Sequence, residues 1–184
     1  YGEPRFLPIT EDAPKQPVFI YGIGKLAAEH LTEIYADNIG FQAISLRYFN
    51  VYGPRQRITD YYAPVIPKFF EAVEAGQPLI VHDNTADFTY VGDAVQATLK
   101  ALDSTTCTGP FNIASGVETP SLELAGLVRK VTGSTVPVLR EQGKGHAKRR
   151  LADITRARQL LKYEPTVKLE EGIKLAWEDY RVRP

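Results

Sequence analysis

Short apolar runs alternate with longer segments of helical periodicity along most of this chain, and that alternation constrains its fold more than any other feature. Residues 41–49, 79–81, 88–91 and 111–114 read as strands, and 136–139 as extended. Apolar spacing of three and four marks helices over 26–35, with Gly40 as a stop, and over 63–75, with Gly76 just beyond. Asp93 is placed to cap a helix over 94–102, Ser121 opens one to about residue 131, and two more fit 155–161 and 169–180. Strands separated by helices of this length imply βαβ units and a largely parallel sheet, an α/β fold. The first twenty residues carry Pro4, Pro8, Pro14 and Pro17 and read as an extended loop. No internal repeat is visible.

Composition narrows the function classes. A chain of 184 residues is expected to hold one domain, or one plus a small lobe, with a sizeable core. It is 43% hydrophobic and 24% charged, with 22 basic and 22 acidic side chains. A net charge of zero argues against a general nucleic-acid binder. One cysteine excludes an internal disulfide and a Cys-based zinc site, so a reducing, cytoplasmic setting is expected. No apolar run approaches the roughly 18–20 residues that span a bilayer, and the first residues lack the apolar stretch of a signal peptide. The chain has no Met. Removal of an initiator Met before a residue as large as tyrosine is inefficient, so Tyr1 is not expected to be a natural N-terminus.

One segment carries two competing motifs. Val18 to Ala27 reads as a strand followed by Gly-x-Gly-x-x-Ala and a helix, the pattern of a Rossmann phosphate turn. That turn requires a carboxylate at the end of the next strand, and the next strand ends in Arg47-Tyr48-Phe49-Asn50. The same segment holds Tyr21-Gly22-Ile23-Gly24-Lys25. At spacing i, i+4 a phenol and an ammonium share a helix face. The ammonium favours phenolate, and such a tyrosine acts as acid or base on an alcohol while a nicotinamide exchanges hydride. Alone, Tyr-x-x-x-Lys is common in a chain with ten tyrosines.

It is not alone. Pro8-Ile9-Thr10-Glu11-Asp12, then Tyr21-Gly22 to Lys25-Leu26-Ala27-Ala28-Glu29, are followed in order by the run Leu46-Arg47-Tyr48-Phe49-Asn50-Val51-Tyr52-Gly53-Pro54-Arg55-Gln56. Val65-Ile66-Pro67-Lys68-Phe69, Asp87 to Asp93, Phe111 to Gly116, Ala152 to Ala157 and Tyr163-Glu164-Pro165 complete the series. Together they resemble the extended short-chain dehydrogenase/reductase family. The likeness is to its NAD-dependent sugar-nucleotide epimerases and dehydratases, of the UDP-glucose 4-epimerase type.

That resemblance implies a C-terminal part of a Rossmann-like sheet interleaved with a small substrate lobe, approximately 57–82 and 134–184. It also implies that the N-terminal dinucleotide-binding half of such an enzyme is not in this sequence. Tyr21 would be the catalytic acid/base, and Lys25 would bind the nicotinamide ribose and lower the tyrosine pKa. Tyr48 would lie beside the nicotinamide of NAD, and Asn50 would hold the diphosphate of a UDP- or dTDP-linked sugar. Val65, Ile66, Lys68, Val81 and His82 would line the base pocket. The helix from Tyr21 to Tyr35 would contribute to a homodimer interface. The sequence departs from the family at two arginines that grip the diphosphate: Ala86 stands at one position and the run around Gly143-Lys144-Gly145-His146 at the other. Arg140, Lys144, Lys148, Arg149 and Arg150 are the candidate substitutes, although a lysine point charge is no guanidinium fork. The basic run 144–150 is thus read as a phosphate clamp or a solvated loop, not a nucleic-acid patch. His30, His82 and His146 have no metal-ligand spacing, and Cys107 is read as a plain loop thiol.

Overall fold

The computed structural model describes residues 1–59, 63–141 and 149–182. Helix α1 (Ile20–Ile39) leads into β1 (Ile44–Tyr48) and β2 (Val51–Tyr52), then α2 (Val65–Glu74) and three short strands, β3 (Leu79–Val81), β4 (Thr85–Asp87) and β5 (Thr89–Tyr90). Next come α3 (Val91–Leu102), β6 (Gly109–Ile113), β7 (Glu118–Pro120), α4 (Ser121–Thr132) and β8 (Val138–Arg140). Helices α5 (Thr155–Leu161) and α6 (Leu169–Arg181) follow. The strands form pairs: β1 with β6, β2 with β5 and β3 with β8 are parallel, and β4 with β7 is antiparallel. The register places Leu46 opposite Phe111 and Tyr48 opposite Ile113. The α/β class and the parallel pairing expected from the alternation are both present.

Two apolar clusters hold these pairs. The first gathers Phe49, Phe111, Ile113, Ala157, Leu161 and Tyr163 around β1, β6 and α5. The second packs Ile66, Phe70, Leu79, Val81, Leu124, Val128, Ile173 and Trp177 between α2, α4, α6 and β3. The lobe bounds drawn from the sequence cross both clusters. Residues 154–163 pack with β1 and β6, while Leu124 and Val128, outside those bounds, pack with α2 and α6. Gly172 is required by this packing, because a Cβ there would stand 2.8 Å from Cζ of the buried Tyr52 ring.

Two local expectations change. The Gly22–Ala27 run is not the glycine loop of a phosphate turn: helix α1 begins at Ile20, ahead of both glycines, so Gly22 stands in its first turn and Gly24 beyond it instead of in a loop that precedes the helix. Asp93 does not cap its own helix, whose N-cap is Tyr90. Its buried carboxylate instead accepts from Thr166 N and Oγ1, each at 3.0 Å, and from Val167 N at 3.3 Å, which anchors the approach to α6. The sequence also hid β2, β4 and β7, two or three residues each, too short for a periodicity to register. Gly40 does end α1, at φ 81° with its N–H on Ala36 O.

Candidate active site

Helix α1 carries the Tyr-x-x-x-Lys pair in its first two turns. The Lys25 ammonium stands over the Tyr21 ring, 5.4 Å from its centroid, as the i, i+4 spacing requires. Tyr21 is 76% exposed. The half-buried positions of α1 are Gly22, Leu26, Glu29, Glu33 and Ala36. Their spacing of four, three, four and three draws one stripe along the helix, with Tyr21 and Lys25 on its flank. No residue of α1 is fully buried.

At the centre of that stripe Glu29 meets Arg47 of β1 in a two-pronged ion pair. Arg47 Nε donates to Glu29 Oε2 at 2.8 Å and Nη2 to Oε1 at 2.6 Å, while Lys15 Nζ donates to Oε1 at 3.2 Å. The Arg47 guanidinium holds the Glu29 carboxyl at about 2, well below its ordinary range. Burial opposes the charge on Arg47, but the Glu29 carboxylate and the Tyr1 hydroxyl together outweigh it and raise the guanidinium further. Arg47 Nη1 also donates to Glu11 O at 2.7 Å and to the Tyr1 hydroxyl, which in turn donates to Asn112 Oδ1 at 2.6 Å. This network escaped the reading of the sequence. Its signal was a charged residue inside the apolar strand 41–49, eight positions beyond which lies nothing to pair it locally.

The other expected site residues fall into two groups. Tyr48 ends β1 with its hydroxyl 2.7 Å from Thr98 Oγ1, and Asn50 follows with φ 33° and its Nδ2 donating to Asp87 O at 2.8 Å. Asp87 itself is wholly buried. Its carboxylate accepts from Ser115 N and Oγ, Gly116 N and Ala152 N, tying three chain segments behind Asn50. Burial pushes this carboxyl up and the four donors pull it down, with burial ahead. Val65 and Lys68 lie on α2, Val65 half-buried and Lys68 exposed, whereas the Ile66 and Val81 side chains belong to the second core cluster. They line no open surface with those side chains. His82 is exposed with Nδ1 3.0 Å from Glu141 O, and Arg140 Nε lies 3.8 Å from Asp83 Oδ1. Lys144, like Lys148, lies outside the described residues. Arg149 is already paired, donating from Nε and Nη2 to Glu118 at 2.7 and 2.5 Å.

For NAD, this arrangement fits one end of the molecule. The exposed phenol and ammonium of Tyr21 and Lys25 suit a ribose and a reacting carbon. The Gly22–Ala27 run follows no described strand and forms no glycine loop ahead of its helix, so it does not make the Rossmann cradle for a pyrophosphate. A surface cavity of about 630 Å³ lies elsewhere, between α4 and α6, bounded by Lys130, Lys168, Lys174 and Trp177 among others. Among the described residues no group of acidic, His or Cys side chains could hold a metal, and no helix is long and apolar enough to cross a membrane.

Comparison with known proteins agrees with this layout. The profile of the GDP-mannose 4,6 dehydratase family matches residues 1–176. UDP-glucuronic acid decarboxylase 5 of Arabidopsis thaliana is 33% identical over 192 aligned residues, covering 100% of this chain and 55% of that protein. A putative UDP-glucose 4-epimerase of Methanocaldococcus jannaschii is 35% identical, over 95% of this chain and 57% of its own length. The crystal structure of the Thermotoga maritima UDP-glucose 4-epimerase with UDP-glucose superimposes with a TM-score of 0.85 at 34% identity, covering 96% of this chain and 58% of that one. A UDP-N-acetylglucosamine 4-epimerase of Methanobrevibacter ruminantium gives a TM-score of 0.92 at 28% identity. The chain therefore spans a little over half the length of the relatives it matches. With the Tyr21–Lys25 pair on α1, the β1–β6 strands behind it and a family profile running through almost every described element, the chain belongs to the extended short-chain dehydrogenase/reductase family of NAD-dependent sugar-nucleotide epimerases and dehydratases.

Proposed function

We propose that this chain takes part in the NAD-dependent epimerisation, or dehydration, of a nucleotide-activated sugar, UDP- or dTDP-linked, within a longer protein. The observation that carries the reading is the exposed Tyr21 phenol with the Lys25 ammonium over its ring, on a helix whose sequence resembles the segment that bears the acid/base in the family. NAD, when bound, supplies reversible hydride transfer. Tyr21 takes the proton of the sugar hydroxyl and later returns it. Lys25 would bond the ribose hydroxyls of the cofactor and balance the charge of the phenolate that accepts the proton. Tyr48, at the end of β1, borders the nicotinamide, and Asn50 holds the diphosphate. Val65 and Lys68 on α2, and His82 after β3, line the nucleotide base, with Ile66 and Val81 contributing main chain. Arg140 and Lys144 are the proposed phosphate-side cations, since Ala86 offers none. The apolar side chains exposed on α1, among them Ile20, Ile23, Leu31, Ile34, Tyr35 and Ile39, support a homodimer through that helix. The single buried Cys107 suits a reducing, cytoplasmic setting.

The chain by itself is expected to show no turnover. The decisive assay therefore joins it to the dinucleotide-binding half, offers a panel of UDP- and dTDP-sugars with NAD and separates the products, so that epimerised, dehydrated and decarboxylated sugars are told apart. Turnover that Tyr21→Phe lowers by about 10²–10⁴-fold is expected, the range for loss of a positioned acid/base. Undiminished turnover by Tyr21→Phe overturns the assignment. A second reading, a non-catalytic nucleotide-sugar module, is favoured by the solvent-open position of Tyr21. It predicts calorimetric binding of UDP, dTDP or UMP with no turnover of any sugar.

A further inference from the structure

We infer that Glu29 and Arg47 are positioning residues. Their ion pair sets the rotation and axial register of α1 on the sheet, and thereby aims Tyr21 and Lys25. The inference rests on the acid/base reading of that pair but stands on separate geometry. Within this chain α1 has 20 residues and buries none of them, so this chain's own apolar core does not orient it as it orients the other long helices. It lies on the body along the narrow stripe Gly22, Leu26, Glu29, Glu33 and Ala36. Two of those residues are small, and contacts of that kind resist neither sliding nor rotation strongly. Glu29 supplies what they lack. A carboxylate gripped by both prongs of one guanidinium has a single preferred plane and distance. Arg47 in turn is fixed from β1 by Glu11 O, by the Tyr1 hydroxyl and by stacking on the Tyr1 ring, 4.9 Å from its centroid. Both side chains are mostly sheltered, 10% and 13% exposed, so water competes poorly for the pair.

The lever is short. Tyr21 lies eight residues from Glu29, about 12 Å along the axis at the rise of an α-helix, and each residue of rotation turns a side chain by about 100°. Lys25 lies between them on the same flank. Loss of the fork leaves the helix folded while letting it roll and slip, which displaces a reacting phenol by ångströms.

The test compares the chain with its Glu29→Gln, Arg47→Gln and Arg47→Lys variants by amide hydrogen exchange. Exchange in α1 is expected to speed up by about tenfold or more in all three, with amides of β6 and α4 little changed. Arg47→Lys is the discriminating variant, since it keeps the charge and the sheltered stem but loses the fork. Protection of α1 equal to that of the parent in Arg47→Lys would show that charge alone suffices and overturn the inference. Equal loss of protection across α1, β6 and α4 would overturn it too, marking the pair as general structure. In the sugar-nucleotide assay the same variants should lower kcat by about tenfold or more and leave KM within about threefold, as displacement of a reacting group does. If the longer protein that carries this chain shows no turnover, the acid/base reading falls, and the exchange measurement still decides the role of the pair.

Discussion

Helix α1 has 20 residues and buries none, while α4 has 12 and buries Leu124, Ala125 and Val128. The two helices are held by different physics. Around α4 the second cluster interdigitates Phe70, Trp177 and Ile173 from neighbouring helices, and Phe70 stands 5.1 Å from the Trp177 ring and 5.4 Å from Tyr180. That contact is broad and non-directional, and it tolerates small displacements by repacking. Within this chain α1 is attached through one forked ion pair, a lysine and the narrow half-buried stripe from Gly22 to Ala36, an attachment that is directional and titratable. The helix bearing the chemistry is thus the one whose position depends on a few polar atoms. Its remaining apolar surface, with Ile20 89% exposed, is available for a partner.

The largest effect that sharpens this contrast belongs to the packed side. Phe70→Ala removes a ring at the centre of the second cluster and should cost about 3–5 kcal/mol, read from urea unfolding. A cost below about 1 kcal/mol would mean that the cluster collapses to fill the space and that α4 is held otherwise. Acid attacks the other side. Because Glu29 is held at about 2 instead of 4.5 by Arg47, with Lys15 assisting, its contribution is complete above about 4.5 and is lost as pH falls through about 2. The groups facing it are Arg47 from β1, and Lys15 and Tyr1 from the N-terminal segment. Glu118, also held at about 2 by Arg149, titrates in the same window. The quantity to measure is therefore the difference in thermal midpoint between the parent and Glu29→Gln, which should shrink as pH falls from about 5 to about 2. A difference that stays constant would remove the ion pair as its source. The smallest effect is a gain. A Cβ at Gly24 meets no atom within 4 Å, so Gly24→Ala should stabilise the chain by about 0.5–1 kcal/mol through helix propensity alone. Thermal melting checks it, and a loss of stability would show that the first turns of α1 touch more than the stripe.

The longer elements were legible because their signals are local. Ile44–Tyr48 and Thr155–Leu161 fall in apolar or periodic runs, and Gly40 ends α1 where a left-handed residue is needed. The pair Tyr21 and Lys25 was legible for the same reason, since helical spacing alone brings them together. Asp93 was misplaced because its partners, Thr166 and Val167, lie more than seventy residues away. Arg47 carried a weaker sign, a charge within an apolar run, which announces a buried partner without naming it. Ile66 and Val81 carry a different lesson: a family motif marks a position, while the tertiary packing places both side chains in the second cluster.

By itself, then, the sequence determined the α/β class, the parallel pairing, the Tyr-x-x-x-Lys spacing and the family, all of which depend on short-range periodicity or on ordered motifs. Only the tertiary structure decided that Gly22 and Gly24 lie inside a helix and that Glu29 and Arg47 close on each other. It also decided that α1 rests on the sheet by polar contacts while α4 sits in an apolar core. Those facts depend on which side chains meet across long stretches of chain, and an ion pair between residues 29 and 47 leaves no periodic trace in the letters between them.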